Sequence, residues 1–213
     1  MALVKHGQSF KIMAITINGN GTITGISAGG LPDGIVDTDM LAASAVTVAK
    51  ASGSVKGVQE VDQWRLSSTL ALTASWAVIS ANLERQDNTF STHIGTGMSQ
   101  SSGVFTFPST GKWLIQANGY LHSGSGEMHY AQIRTEMSSN SGTDYTVVGY
   151  AVGGATSGGA YGNFNATELV DVTNASNFRC RFQVRASDAT QNNLVGYDGE
   201  NATTFTFTRL GDT

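Results

Sequence analysis

The stretch from Phe178 to Ala186 alternates without a break: Phe178, Cys180, Phe182, Val184 and Ala186 fall on one side, and Arg179, Arg181, Gln183 and Arg185 on the other. In an extended chain successive side chains point to opposite faces, so a period of two demands a β-strand with one face in a core and one outside it. A helix cannot satisfy the pattern, because neighbours on one helical face are three and four residues apart. The run 129–137 repeats the division, with Ala131, Ile133 and Met137 against Tyr130, Gln132, Arg134 and Glu136. Further on, Phe205 and Phe207 oppose Thr204, Thr206 and Thr208.

From Trp64 onward strand-like runs follow one another at 76–85, 104–107, 112–122, 129–137, 145–152, 161–172, 177–187 and 203–210, with turn residues between them. Such a series predicts an all-β jelly-roll sandwich over residues 63–213. Composition agrees. The 26 glycines and a charged fraction of only 13% give a chain whose polarity lies in hydroxyls and amides, which suits short strands and many turns. With 213 residues, 40% of them hydrophobic, the chain can bury a sizeable core. The single Cys180 offers no intrachain disulfide, so core packing has to supply the stability.

Residues 1–62 read differently. Ile12, Ile15, Ile17, Ile23 and Ile26 are spaced around Asn18-Gly19 and Asn20-Gly21, and Asn-Gly between β-branched residues is the strongest short-range hairpin signal. A turn at Leu31-Pro32-Asp33-Gly34 leads into 37–50, where Asp37 or Thr38 can cap a short helix with Leu41, Ala45, Val48 and Ala49 on one face. A helix this short needs a partner, and further copies of itself would serve. The Gly/Ser-containing run 51–63 reads as the boundary between this stem and the head.

Several function classes are disfavoured. Sixteen acidic against 12 basic side chains give a net charge of −4 and no general attraction for nucleic acid. The start, MALVKHGQSFKIM, has no apolar core and no cleavage site, so it does not resemble a secretory signal. No stretch approaches the ~18 apolar residues of a membrane span, so membrane insertion is not expected. Nucleophile elbows, phosphate loops and Cys/His clusters are absent from the sequence, which points away from an enzyme and from a cofactor. Glycan hydrolysis would need two carboxylates set ~5–10 Å apart. Asp188, Asp198 and Glu200 fall in loops rich in Asn and Gly, where turn formation explains them.

Four groups of polar residues are candidates for binding. His122 and His129 flank the loop SGSGEM between two strands, and with Glu127 they could hold zinc, although an exposed hairpin explains them without a metal. Asp33, Asp37 and Asp39 lack the regular ligand series of a calcium loop and suit turn and cap positions. The row Arg179, Arg181, Arg185 would present planar guanidinium forks suited to carboxylates and phosphates, unless it pairs across the sheet with residues such as Glu136. Tyr145, Tyr150, Tyr161 and Tyr197 lie near Gly-rich turns, where tyrosines stack on sugars, anchor protein contacts or complete a core. Arg179, Arg181, Arg185, Tyr145, Tyr161 and Tyr197 are therefore the candidate ligand-binding residues, with no catalytic or metal site expected.

Two resemblances add to this reading. The phrase Phe105-Thr-Phe107-Pro108-x-x-Gly111-x-Trp113-x-Ile115, with the Phe-rich strand at 203–210, resembles the globular heads of complement's first component and the tumour necrosis factor-like jelly rolls. That family usually carries Tyr where Trp113 stands. The likeness spans about residues 64–213 and implies ten-stranded jelly rolls in tight parallel trimers, with the Arg179 strand in the outer sheet and Trp76, Val78, Leu114 and Tyr120 on inner-sheet surfaces that three copies bury together. The segment GISAGGLPDGIVDTDMLAASAVTVAK is similar to one found in tail-fibre and spike proteins of tailed bacteriophages. The two together imply a homotrimeric virion fibre on the particle surface, with residues 1–62 attached to other tail or capsid proteins and the head contacting a host surface glycan or protein. A capsid fibre or decoration protein is the alternative, and a glycan-modifying enzyme on the same scaffold a further one.

Overall fold

The computed structural model describes residues 57–188 and 192–213, together with the backbone of Thr16–Ile17 and Ile23–Thr24. The chain divides into two compact units, residues 1–50 and 51–213. In the first, β1 (Thr16–Ile17) and β2 (Ile23–Thr24) pair antiparallel, with Thr16 opposite Thr24 and Ile17 opposite Ile23. The pairing stands astride the two Asn-Gly dipeptides, as a hairpin requires. The helix expected within 37–50, and Asp33, Asp37 and Asp39, lie outside the described residues.

In the second unit the strands are β3 (Val61–Leu66), β4 (Leu70–Ala71), β5 (Ala77–Val78), β6 (Leu83–Arg85), β7 (Ser99–Ser101), β8 (Val104–Thr106), β9 (Gly111–Ser123), β10 (Met128–Ser138), β11 (Thr146–Ala155), β12 (Tyr161–Val172), β13 (Arg179–Ala186), β14 (Asn192–Leu194) and β15 (Thr204–Gly211). They form two antiparallel sheets. One runs β11-β10-β13-β8-β7, with β5 also on β13. The other runs β4-β14-β9-β15-β3-β6, with β12 along the opposite side of β9. The chain changes sheet between β9 and β10, between β11 and β12, and again between β12, β13 and β14. Two sheets joined by such crossings make the jelly roll that the alternating runs predict.

The alternation also sets the core. Phe182, Val184, Cys180 and Ala186 are buried from one sheet, and Ile115, Ala117, Phe205 and Phe207 from the other. Phe182 and Phe205 meet with ring centroids 4.5 Å apart, Phe105 and Phe207 at 4.9 Å, and Phe107 and Trp113 at 5.2 Å. Each such pair contributes about 0.5–1.5 kcal/mol beyond the area it buries. Trp113 therefore serves as core, at the position where the resembled family carries Tyr. Burial pushes the Cys180 thiol well above its ordinary range, and the nearby Glu168 and Glu136 carboxylates add to the effect.

Three features of the head differ from the reading of the sequence. The single run expected at 76–85 is two short strands in different sheets, β5 on β13 and β6 on β3. Asn82 separates them with φ of 60°, a left-handed conformation that Asn tolerates and a continuous strand forbids. Trp76 and Val78 consequently belong with the six-stranded sheet and not with the surface that carries Leu114 and Tyr120. Val61 and Asp62, numbered with the stem, open the strand β3, which pairs with β15 from Thr208 to Thr204. The periodic signal is broken there because Asp62 and Arg65 are buried through ion pairs: Asp62 with Arg85 at 3.0 Å, and Arg65 with Glu84 at 3.1 Å and Asp87 at 2.8 Å. Finally, β9 and β10 do not form a hairpin, since they lie in opposite sheets.

Candidate functional site

The outward face of the six-stranded sheet carries the arginine row. Arg181 Nε donates to Glu136 Oε2 at 2.6 Å, and its guanidinium lies over the Tyr145 ring at 3.7 Å. Arg185 Nε donates to Gln132 Oε1 at 2.6 Å, and its guanidinium lies 4.8 Å from the Trp76 ring centre and 5.7 Å from that of Tyr130. Arg179 donates to the backbone oxygens of Phe178 (2.7 Å) and Ala175 (3.4 Å). Arg134 completes the cluster, donating to Gln183 at 2.7 Å, pairing with Glu136 at 3.0 Å and covering Trp76 at 4.5 Å.

These are the cross-strand partners that the register dictates, since Glu136 stands opposite Arg181 and Gln132 opposite Arg185. Arg181 and Arg185 thus each donate through Nε to a cross-strand neighbour while lying over an aromatic ring. Tyr145 serves as the lid of Arg181; partial burial pushes its phenol up, against the opposing pull of that cation.

His122 and His129 are not brought together with Glu127 as a metal centre. His122 points outward from β9 and packs against Tyr161 at 4.7 Å, whereas His129 is the second residue of β10 in the other sheet and lies 3.6 Å from Glu127. Among the described residues no group of three or more His, Cys, Asp or Glu is placed to hold a metal ion.

The outward face of the seven-stranded sheet is of another kind. Register aligns Val61, Thr208, Leu114 and Leu169 in one row across four strands, and Gln63, Thr206, Gln116 and Thr167 in the next. Beyond them come Thr204, Asn118 and Asn165, then Tyr120 beside Asn163, and His122 beside Tyr161. From Leu114 to Tyr120 and from Asn163 to Leu169 the outward side chains carry no charge. Leu169 is 66% exposed. The ion pair Lys112–Asp171 closes one end of the face.

At the other end the loop 195–203 rises beside β9. The Val195 N–H donates to Tyr120 O at 2.7 Å, the Thr203 hydroxyl donates to Val195 O at 2.7 Å, and the Tyr120 N–H donates to the Thr203 hydroxyl at 3.1 Å. The buried Thr203 thus fastens the loop to the strand. Between loop and sheet opens a cavity of about 530 Å³ whose lining includes Asn118, Tyr120, Asn163, Asn165, Tyr197 and Glu200.

Tyr161 stacks on Tyr120 with centroids 5.2 Å apart and planes 15° from parallel, which holds the Tyr120 ring. Gly119 is required beneath the cavity, because a Cβ there would come within 2.1 Å of the Phe164 ring. Of the six sequence candidates, Tyr197 lines this cavity and Tyr161 supports it, while Tyr145 and the three arginines lie on the other sheet. The alternation of β9 and β12 marks Asn118, Asn163 and Asn165 as outward, but their convergence with Glu200 depends on a loop that leaves no periodic trace.

No family profile matches the chain, and no curated protein matches it. Among solved structures it is similar to murine APRIL, a jelly roll of the tumour necrosis factor family, in crystals at pH 5.0, 8.5 and 8.0. The identities are 12%, 9% and 10%; each match has a TM-score of 0.47 and covers 71% of this chain and 98% of the other. The all-β architecture itself rests on the strand pairing described above.

Proposed function

We propose that this chain is a non-enzymatic, homotrimeric structural protein of a tailed-bacteriophage particle, a fibre or spike whose head meets the host surface and whose residues 1–62 attach it to the virion. The observation that carries the self-assembly is the uncharged row Val61, Thr208, Leu114 and Leu169 on the outward face of the seven-stranded sheet. Exposed apolar surface on a sheet, ringed by amides and hydroxyls, suits burial against another copy. The resemblance of the head to trimeric jelly rolls supports three copies, and the Gly-Gly-Leu-Pro-Asp-Gly segment before the expected short helix supports the particle.

Light scattering on the full chain is expected to give about three times 22.3 kDa. Immunogold labelling of phage that encode the protein is expected to decorate the particle, and label confined to infected-cell lysate would reject the virion role. A monomer at micromolar concentration would reject the assembly. Three identical heads would also turn weak surface contacts into avidity.

A further inference from the structure

We infer that the cavity between β9, β12 and the loop 195–203 is a binding site for a neutral saccharide. This deepens the proposed surface-contacting role and rests on it.

The volume of about 530 Å³ lies within the about 300–1,000 Å³ typical of small-ligand sites. Its chemistry is the stronger argument. A sugar ring has apolar C–H faces and a rim of hydroxyls that both donate and accept. Tyr120 and Tyr197 offer aromatic surface with a polar tip, which suits the C–H faces and one hydroxyl each. Asn163 offers an amide oxygen and an amide nitrogen side by side, a pair that can accept from one hydroxyl and donate to its neighbour. Among the described residues the side chains of Asn163, Tyr197 and Glu200 make no hydrogen bond, so these groups are available to a ligand.

Charge narrows the class. No Lys, Arg or His lines the cavity, and Glu200 supplies a carboxylate. That carboxylate accepts from hydroxyls and repels a uronate, a sialate or a phosphate. The arginine row suited to an acidic sugar lies on the other sheet, away from this cavity.

Position and rigidity agree with this use. Thr203 and Val195 fix the loop to the backbone of Tyr120, and Tyr161 stacks on the Tyr120 ring, so the walls are set before a ligand arrives. The apolar row at Leu114 and Leu169 is three side-chain rows from Tyr120 along β9, counted by alternate residues, so the proposed self-association and the cavity use different rows of this face.

The test uses the full chain and a panel of immobilised neutral hexose and N-acetylhexosamine oligosaccharides, beside matched oligosaccharides bearing uronate or sialate. Saturation-transfer NMR with the free sugars and light scattering on the same samples complete it. The expected result is binding to at least one neutral member and none to its acidic match. Tyr197→Ala and Asn163→Ala should each weaken that binding about ten-fold or more, with mass and circular dichroism unchanged. Glu200→Gln should reduce the discrimination against the acidic match. Absence of neutral binding at millimolar sugar, equal binding of acidic matches, or undiminished binding by both alanine variants would overturn the inference. A trimer that ignores sugars refutes the cavity's role and leaves the assembly standing, whereas a monomer that binds them does the reverse.

Discussion

Replacing Leu169 by Asp is expected to dissociate the assembly without unfolding the head. Leu169 lies on β12 with its side chain on the outward face, 66% exposed, opposite Leu114 in the register. Complete burial of a leucine contributes about 1.5–3 kcal/mol. Covering the two thirds that remain exposed is then worth about 1–2 kcal/mol per protomer, or roughly 3–6 kcal/mol for three copies. At about 1.4 kcal/mol per factor of ten, the loss raises the dissociation constant about 10²–10⁴-fold. The introduced carboxylate adds its own desolvation cost. The assay is sedimentation velocity over a dilution series, with circular dichroism to verify the fold. Val152→Asp is the control, because Val152 is exposed on β11 of the other sheet and should leave the assembly intact. An L169D variant that remains trimeric at every concentration where the unmodified chain does would refute the assignment of this face.

Asp62→Ala should cost about 3–5 kcal/mol in urea denaturation, because buried Asp62 accepts from Trp64 Nε1 at 2.9 Å and the Met98 N–H at 2.7 Å besides pairing with Arg85; a loss under about 1 kcal/mol would show that water replaces these bonds. Arg181→Gln should cost about 1–3 kcal/mol, since it strips one of two arginines from buried Glu136 and uncovers Tyr145, and an unchanged denaturation midpoint would show that these contacts do not support the fold. Glu168→Gln should stabilise the head at neutral pH. Burial raises the Glu168 carboxyl above its ordinary 4.5, so the stability of the protonated folded form is fully present below about pH 4.5 and is lost as pH rises through the raised folded value. Melting temperatures of the two proteins should therefore converge near pH 4 and diverge towards pH 7, and parallel curves would refute the shift.

The fold was legible wherever one face of a strand meets the core and the other meets solvent. On β13 and β15 hydrophobicity and orientation carry the same information, and Phe182, Val184, Phe205 and Phe207 are buried as their spacing requires. It was not legible on β3, where Asp62 and Arg65 are buried by charge pairing with residues about twenty positions away. A hydropathy pattern scores such residues as exposed, although the pairs satisfy them inside. Glu168 is a third case. Its carboxylate sits inside the sandwich, accepts from Thr135 at 3.1 Å and fits only because Gly149 has no Cβ, which would otherwise lie 1.6 Å from Glu168 Oε1. Residues 149 and 168 are far apart in sequence, and neither alone announces the other.

The candidate site divides along the same line. Cross-strand register made the Arg181–Glu136 pair readable, because it needs only two strands to be neighbours. That pairing turns the most conspicuous cationic row of the chain into part of its own scaffold, with Arg181 and Arg185 each committed to an acceptor and a ring. The cavity on the other sheet is built from residues with far less charge. Asn163 is turned outward by the alternation of the edge strand β12, whereas Tyr197 and Glu200 come from a loop placed by the bonds of Thr203 and Val195 to Tyr120 rather than by any repeat in the sequence. Among the described residues Asn163, Tyr197 and Glu200 offer an amide, a phenol and a carboxylate with no hydrogen-bond partner around one cavity, and groups of that kind suit a hydroxyl-rich, uncharged ligand.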